Sequence, residues 1–267
     1  MIRGKIKIAL GQIKIIWEDK DKNRANCETM VKRAAQANSD LIIFPELTLT
    51  GFTMNVNQIA EDAGDSPTIL FFEELAKKYK INIIFGVALK LKDGKKGRNM
   101  AIMVDTFGRA RTQYQKIHPF SFAQEEKYYQ PGDKLALFSI KGFKCALVIC
   151  YDLRFPGLFE ALAKHRPEAV IIIANWPKAR IRHWQTLLAA RSFDMQCNVI
   201  GVNRVGKGAN LEYNGYSSAY SVTGEKIVEY KNKETLGFVE LDKKTVSHQR
   251  RAFTSLRDKR HYLYPLL

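Results

Sequence analysis

Leu147-Val148-Ile149-Cys150-Tyr151-Asp152-Leu153-Arg154-Phe155-Pro156 is the stretch whose reading decides the fold. The apolar run ending in Cys150 reads as a fully buried strand, and Pro156 stands where a helix can begin at its first position. In open α/β sheets the ligand crevice lies just beyond the carboxyl ends of the strands. A thiol on so sharp a strand-to-helix turn is presented much as a nucleophile elbow presents its serine. The same placement also suits an inert thiol, because free cysteine is among the most buried residue types. On this stretch alone both readings stay open.

Outward from it, the same device recurs. Asp40-Leu41-Ile42-Ile43-Phe44 reads as a buried strand and runs into Pro45-Glu46. A strand over Glu168 to Ala174 is broken by Asn175-Trp176-Pro177, and another ends at Tyr114-Gln115-Lys116. Further strands are expected at Ile6 to Leu10, Asn82 to Leu89, Asn99 to Val104, Asn198 to Val202, Tyr216 to Ser221, Lys226 to Glu229 and Leu236 to Leu241. Lys134 to Ile140 and Phe143 to Ile149 form a hairpin around Lys141-Gly142. Helical periodicity marks Asp21 to Ala37, Leu158 to Lys164 and Arg182 to Gln196. Ser66-Pro67 supplies a cap and first position for a helix to about Tyr79, and Asp242 caps a short last helix. The segment from Ile117 to Glu126 is too apolar for an ordinary solvated loop. Helices alternating with many strands and no linker predict one domain over 1–267, with a tail from about 257 to 267. Two sheets covered by helices on their outer faces accommodate the pattern.

Composition is that of a soluble globular enzyme, 46% hydrophobic and 26% charged. No apolar run approaches the ~18 residues of a membrane span, so no membrane partner is expected. Met1 to Lys5 leads straight into a strand pattern, which predicts no export signal. Cys27, Cys145, Cys150 and Cys197 are scattered without metal spacing and read as reduced thiols of a cytoplasmic protein. A net charge of +16 raises the possibility of a non-catalytic binding protein with a nucleic-acid surface. The basic residues are spread over helix faces and turns without interleaved aromatics, so a solvated surface and no nucleic-acid partner are expected.

Glu46, Lys116 and Cys150 together have the parts of a thiol hydrolase that works without histidine. Lys116 beside Cys150 would favour the thiolate, and Glu46 would take the thiol proton and pass it to a leaving amine. Pro45-Glu46 with Gly51-Phe52, Lys116-Ile117-His118 and the stretch from Cys150 to Pro156 together resemble the nitrilase, or carbon–nitrogen hydrolase, superfamily. The resemblance implies an α/β fold of four-layer αββα sandwich type and a Glu-Lys-Cys triad. On it, Glu46 is the general base, Lys116 the lysine and Cys150 the nucleophile. A second glutamate falls on Glu125, with Glu126 adjacent. It implies no metal or organic cofactor, and a homodimer into which the apolar ending Tyr262 to Leu267 is buried.

Asn175-Trp176-Pro177, Arg180, His183-Trp184-Gln185, Ala190-Arg191 and Asn203-Arg204-Val205-Gly206 look like the bacterial omega-amidase branch. That branch implies a small-molecule amide substrate, the terminal amide of a short dicarboxylic monoamide such as 2-oxoglutaramate or succinamate. Leu47-Thr48 and Pro119 depart from its pattern, at positions expected near the pocket. The planar fork of Arg180 matches a carboxylate, and Trp176 could cover an aliphatic chain. Tyr151 is a further pocket candidate, and its backbone N–H a donor to the oxyanion. Asp152 and Arg154 are expected to pair with each other or with loop backbone. His183 is read as a packed helical histidine, against a papain-like dyad with Cys150. Nitrilase or N-carbamoyl amine chemistry on the same triad are the enzymatic alternatives.

Overall fold

The computed structural model describes residues 4–91, 94–260 and 263. The first sheet is built from β1 (Lys5–Gln12), β2 (Leu41–Ile43), β3 (Asn82–Lys90), β4 (Gly97–Val104) and β5 (Ala110–Gln115). A late strand, β13 (Thr235–Asp242), closes its edge in the order β13-β1-β2-β3-β4-β5. Strand alternation decides what each face touches. In β1, Ile6, Ile8 and Leu10 enter the core between the sheets and Ala9 the core under the helices. In β2, Leu41 and Ile43 divide from Ile42 in the same way, and in β3 Ile84 divides from Ile83 and Phe85. Because a slip of one residue would exchange the two cores, the register is strongly specified. Each such Ile or Leu contributes roughly 1.5–3 kcal/mol by burial.

Helices α1 (Lys20–Gln36) and α3 (Pro67–Tyr79) cover this sheet. Asp19 caps α1 through Lys22 N–H, and Ser66 caps α3 through Ile69 N–H with Pro67 in its first turn. Between them lies a one-turn helix, α2 (Val56–Ile59). The segment after β5, expected to be irregular, contains a 3₁₀ turn at Ser121–Ala123 and a single helical turn, α4 (Glu125–Tyr128).

The second sheet contains β6 (Ala136–Ile140), β7 (Phe143–Ile149), β8 (Ala169–Ala174), β9 (Asn198–Asn203), β10 (Val205–Gly208), β11 (Leu211–Tyr220) and β12 (Lys226–Lys231). Its order is β10-β11-β9-β8-β7-β6, with β12 on β11. β7, β8 and β9 run parallel, so their connections must cross the outer face as helices α5 (Pro156–Ala163) and α6 (Ile181–Met195). A last helix, α7 (Lys243–Ala252), is capped by Asp242 through Lys244 N–H.

The four-layer expectation therefore holds, with one addition. A strand was expected only from Tyr216, whereas β10 and the first half of β11 form a hairpin before it. Its turn, Ala209 and Asn210, takes two left-handed residues at φ +46° and +63°. Such turns are usually signalled by a glycine that this one lacks. Of the expected tail, only 257–260 and Leu263 fall among the described residues, so its burial against a partner lies outside them. No helix among the described residues is long and apolar enough to cross a membrane.

Candidate active site

The ends of β2, β5, β7 and β8 meet at one edge of the sandwich, and the site is assembled from the residues that follow them. Cys150 follows β7 at φ +48° and Leu47, just after Glu46, sits at φ +44°. Left-handed backbone costs a non-glycine residue roughly 1–2 kcal/mol, and both turns spend it next to the candidate chemistry. The Glu46 turn lies directly on β3. A Cβ on Gly86 would stand 2.3 Å from Leu47 N, so only glycine lets the two backbones approach. Thr48 ties them together, accepting from Gly86 N–H at 2.9 Å and donating to Pro45 O at 2.7 Å.

Asp152 fastens the cysteine turn. Buried, it accepts from Ile149 N (3.1 Å), the Tyr114 hydroxyl (2.7 Å) and His118 N (2.9 Å), and pairs with His118 Nδ1 (2.8 Å). His118 in turn stacks on Phe155, with ring centroids 3.8 Å apart. Asp152 thus binds loop backbone as expected, but it does not pair with Arg154. That arginine points the other way, over Trp176 (4.9 Å) and Tyr151 (5.9 Å), with its Nη2 3.0 Å from His183 Nδ1. His183 is exposed rather than packed, because α6 turns its neighbour Trp184 into the core.

Lys116 is the hub. Its ammonium lies 2.9 Å from Glu46 Oε1 and 2.8 Å from Glu125 Oε2, with all three side chains at most 2% exposed. Glu125 is the buried glutamate and Glu126 is solvent-exposed. Asn99 Nδ2 donates to both Glu46 (2.8 Å) and Glu125 (3.1 Å), and Asn175 N–H donates to Glu46 Oε2 at 2.9 Å. Phe120 N–H donates to Glu125 at 2.6 Å. Burial alone would depress the Lys116 ammonium, but the Glu125 and Glu46 charges outweigh it and hold the lysine protonated. Glu125 is pushed above the usual carboxylate range by burial, against the pull of Lys116.

Cys150 departs from expectation. Lys116 does favour its thiolate, but burial and the Glu46 carboxylate, which the thiol hydrogen-bonds, push the thiol well above its ordinary range. At rest the group is a thiol beside a base rather than a preformed thiolate.

Lys116, Cys150 and Asn175 line a cavity of about 170 Å³, with Glu46 and Glu125 buried behind the lysine. That is small beside the roughly 300–1,000 Å³ of pockets for drug-sized ligands. Its walls are mostly aromatic, with Phe52, Phe120, Tyr151 and Trp176, and two arginines, Arg154 and Arg180, enter it. Trp176 is fixed by Asn203, which accepts from its N–H (2.8 Å), and donates its own Nε1–H to Arg180 O (2.8 Å). Arg180 stacks at 5.2 Å from Phe120 and 5.9 Å from Phe122. Leu47 and Thr48 are fully buried, and neither they nor Pro119 line the cavity. Sequence reasoning missed Asn99, Tyr213 and the inward direction of Arg154. Among the described residues no group of three His, Cys, Asp or Glu side chains could hold a metal ion.

Two helix-covered sheets whose strand ends bring a cysteine and a lysine to one small cavity, with two carboxylates buried on the lysine, have the architecture of a carbon–nitrogen hydrolase. The chain belongs to that family: the carbon–nitrogen hydrolase model matches residues 7–251. It is 28% identical to the 2-oxoglutaramate amidase of Bacillus subtilis (strain 168) over 254 residues, covering 95% of this chain and 97% of that one. It is 32% identical to the omega-amidase YafV of Yersinia enterocolitica over 222 residues, 82% of this chain and 83% of that one. A carbon–nitrogen hydrolase superfamily protein of Xanthomonas campestris, solved with an arsenic adduct in its active site, superposes with a TM-score of 0.89 at 30% identity. That match covers 96% of this chain and 97% of the other. The resemblance read from the motifs is borne out, and the protein is a hydrolase of non-peptide carbon–nitrogen bonds.

Proposed function

We propose that the protein is a cysteine-dependent omega-amidase, cleaving the terminal amide of short dicarboxylic monoamides to acid and ammonia. The observation that carries this reading is the presence of Arg154 and Arg180 in the same small cavity as Cys150. Burying a substrate carboxylate without a cation is prohibitively costly, and guanidinium forks match it. Relatives named 2-oxoglutaramate amidase and omega-amidase support the choice of substrate.

In the proposed reaction Cys150 Sγ attacks the amide carbon while Glu46 takes the thiol proton. The oxyanion is met by the Lys116 ammonium and the backbone N–H of Tyr151; one such donor is worth about 10²–10³ in rate. Glu46 returns the proton to departing ammonia, leaving a thioester. It then takes a proton from the attacking water, and the thiol is restored as the acid leaves. Glu125 holds Lys116 in place, and Trp176 covers the aliphatic part of the ligand. No metal or organic cofactor enters the scheme.

Ammonia release across a panel tests the reading. Succinamate or 2-oxoglutaramate is expected to be hydrolysed at least roughly ten-fold better, in kcat/KM, than uncharged amides of equal length, about 1.4 kcal/mol. Arg180→Met is expected to erase most of that preference. Better turnover of aliphatic nitriles or N-carbamoyl amines would replace the substrate assignment and keep the triad. No turnover of any of them would favour a non-catalytic basic binding protein.

We also propose a homodimer in the cytoplasm. Exposed Phe193 on α6 and Phe253, whose carbonyl accepts from Gln196 just after α6, support a covered outer face. Four free cysteines fit a reducing compartment.

A further inference from the structure

Tyr213 has no place in the scheme above, yet its surroundings are built with care. It sits on β11 opposite Gly206 of β10, and Leu211, two residues before it, shares its strand face; both side chains line the catalytic cavity. Its ring rests on the Arg204 guanidinium, 4.5 Å from the ring centroid. Arg204 is fully buried, its Nη2 donating to Ile15 O (2.6 Å) and Lys207 O (3.0 Å) and its Nε to Val205 O (3.3 Å), while its Nη1 has no partner among the described residues. The phenol therefore rests on a guanidinium tied to three backbone carbonyls.

Its hydroxyl, however, has no hydrogen-bond partner among the described residues, although Tyr213 is only 4% exposed. Buried tyrosine hydroxyls ordinarily find one. Two other buried tyrosines do: Tyr114 donates to Asp152, and Tyr129 to Thr53 O. An unpaired hydroxyl on a side chain that lines a ligand cavity, close enough to Cys150 and Glu46 to feel their charges, points to a ligand atom as its partner. Burial pushes the Tyr213 phenol up to about 12, with Arg204 opposing and the Cys150 and Glu46 charges adding to the rise. It stays protonated at neutral pH and acts as a donor.

In a bound dicarboxylic monoamide, the scissile carbonyl is taken by Lys116 and the carboxylate by the arginines. The acceptor left over is an oxygen on the carbon chain. We propose that Tyr213 donates to the oxo oxygen of 2-oxo dicarboxylic monoamides and so selects them over chains without an oxo group. This rests on the amidase reading for its substrate, but not for its test.

The test is protection of Cys150 from iodoacetamide by 2-oxoglutarate and by glutarate, which share length and charge and differ in the oxo group. In the wild type 2-oxoglutarate is expected to protect at about ten-fold lower concentration, the size of one hydrogen bond. In Tyr213→Phe that advantage is expected to fall below about two-fold, and the kcat/KM ratio of 2-oxoglutaramate to glutaramate to fall with it. Removing an unpaired hydroxyl leaves no buried group stranded, so the variant is expected to melt no lower than the wild type. An equal advantage in both proteins, no advantage in the wild type, or no protection by either ligand would overturn the assignment. If the wild type hydrolyses neither monoamide while the advantage and its loss persist, the amidase reading fails and Tyr213 keeps its role. If both are hydrolysed with an unchanged ratio in the variant, Tyr213 loses its role and the amidase reading stands.

Discussion

Lys116→Met keeps a side chain of similar length and removes the ammonium that separates two buried carboxylates. Lys116 stands 2.9 Å from Glu46 and 2.8 Å from Glu125, all three essentially dry. At an effective dielectric constant of ~20, each pair is worth about 6 kcal/mol before desolvation is counted. Breaking a buried pair from one side leaves a net loss of about 3–5 kcal/mol. Protonation can relieve part of it. Glu125 is already raised by burial and by Glu46, and Lys116 is the group that opposes the rise. Without Lys116 the folded-state value climbs further above the unfolded value of about 4.3. A carboxyl raised in this way stabilises the fold below its unfolded pKa and loses that contribution as pH rises through the folded value. The destabilisation should therefore grow between about pH 5 and pH 8, by up to ~1.4 kcal/mol for each unit of further rise. Urea unfolding of wild type and variant at both pH values measures it. A loss that does not change with pH, or one below about 1 kcal/mol at pH 8, would refute the charge arrangement.

Three further outcomes are expected. Glu46→Gln removes the charge that, after burial, does most to raise the Cys150 thiol, so alkylation at neutral pH should quicken while turnover falls by about 10²-fold or more; alkylation that slows in step with turnover would contradict this. Gly86→Ala would drive a methyl into Leu47 N, 2.3 Å away, and should cost about 1–3 kcal/mol in stability and much of the activity by displacing Glu46. Urea titration and ammonia release would both have to be unchanged for that argument to fail. Light scattering at micromolar concentration should give the mass of two chains, and a monomer mass would remove the dimer.

Much of the site was legible because its strands are buried on both faces. Such strands appear as unbroken apolar runs, so Glu46 and Cys150 stand out as the first functional groups after them. Caps at Ser66 and Asp242 were equally plain, since each acts on residues two or three positions away. Direction was not legible. Helical periodicity marks α6, but does not say which of the adjacent His183 and Trp184 faces inward. Arg154 enters the cavity because Asp152 is claimed by Tyr114 and His118, partners 38 and 34 residues earlier. Asn99, on β4, reaches Glu46, just after β2, across 53 residues of sequence and past the intervening β3. The state of the thiol was beyond local reading as well. Lysine beside cysteine argues for a thiolate, and only the assembled burial and the carboxylate of Glu46 reverse the balance. Tyr213 was hidden by a hairpin turn without the expected glycine.

The central claim is that hydrolysis passes through an acyl group on Cys150. Rapid acid quenching of the enzyme during turnover of succinamate, followed by peptide mapping, tests it most directly. The account expects a hydroxylamine-labile succinyl group on the peptide bearing Cys150, and neither acyl group nor ammonia release in Cys150→Ala. A variant without this thiol that still releases ammonia at the wild-type rate, or an acyl group found on another residue, would contradict it.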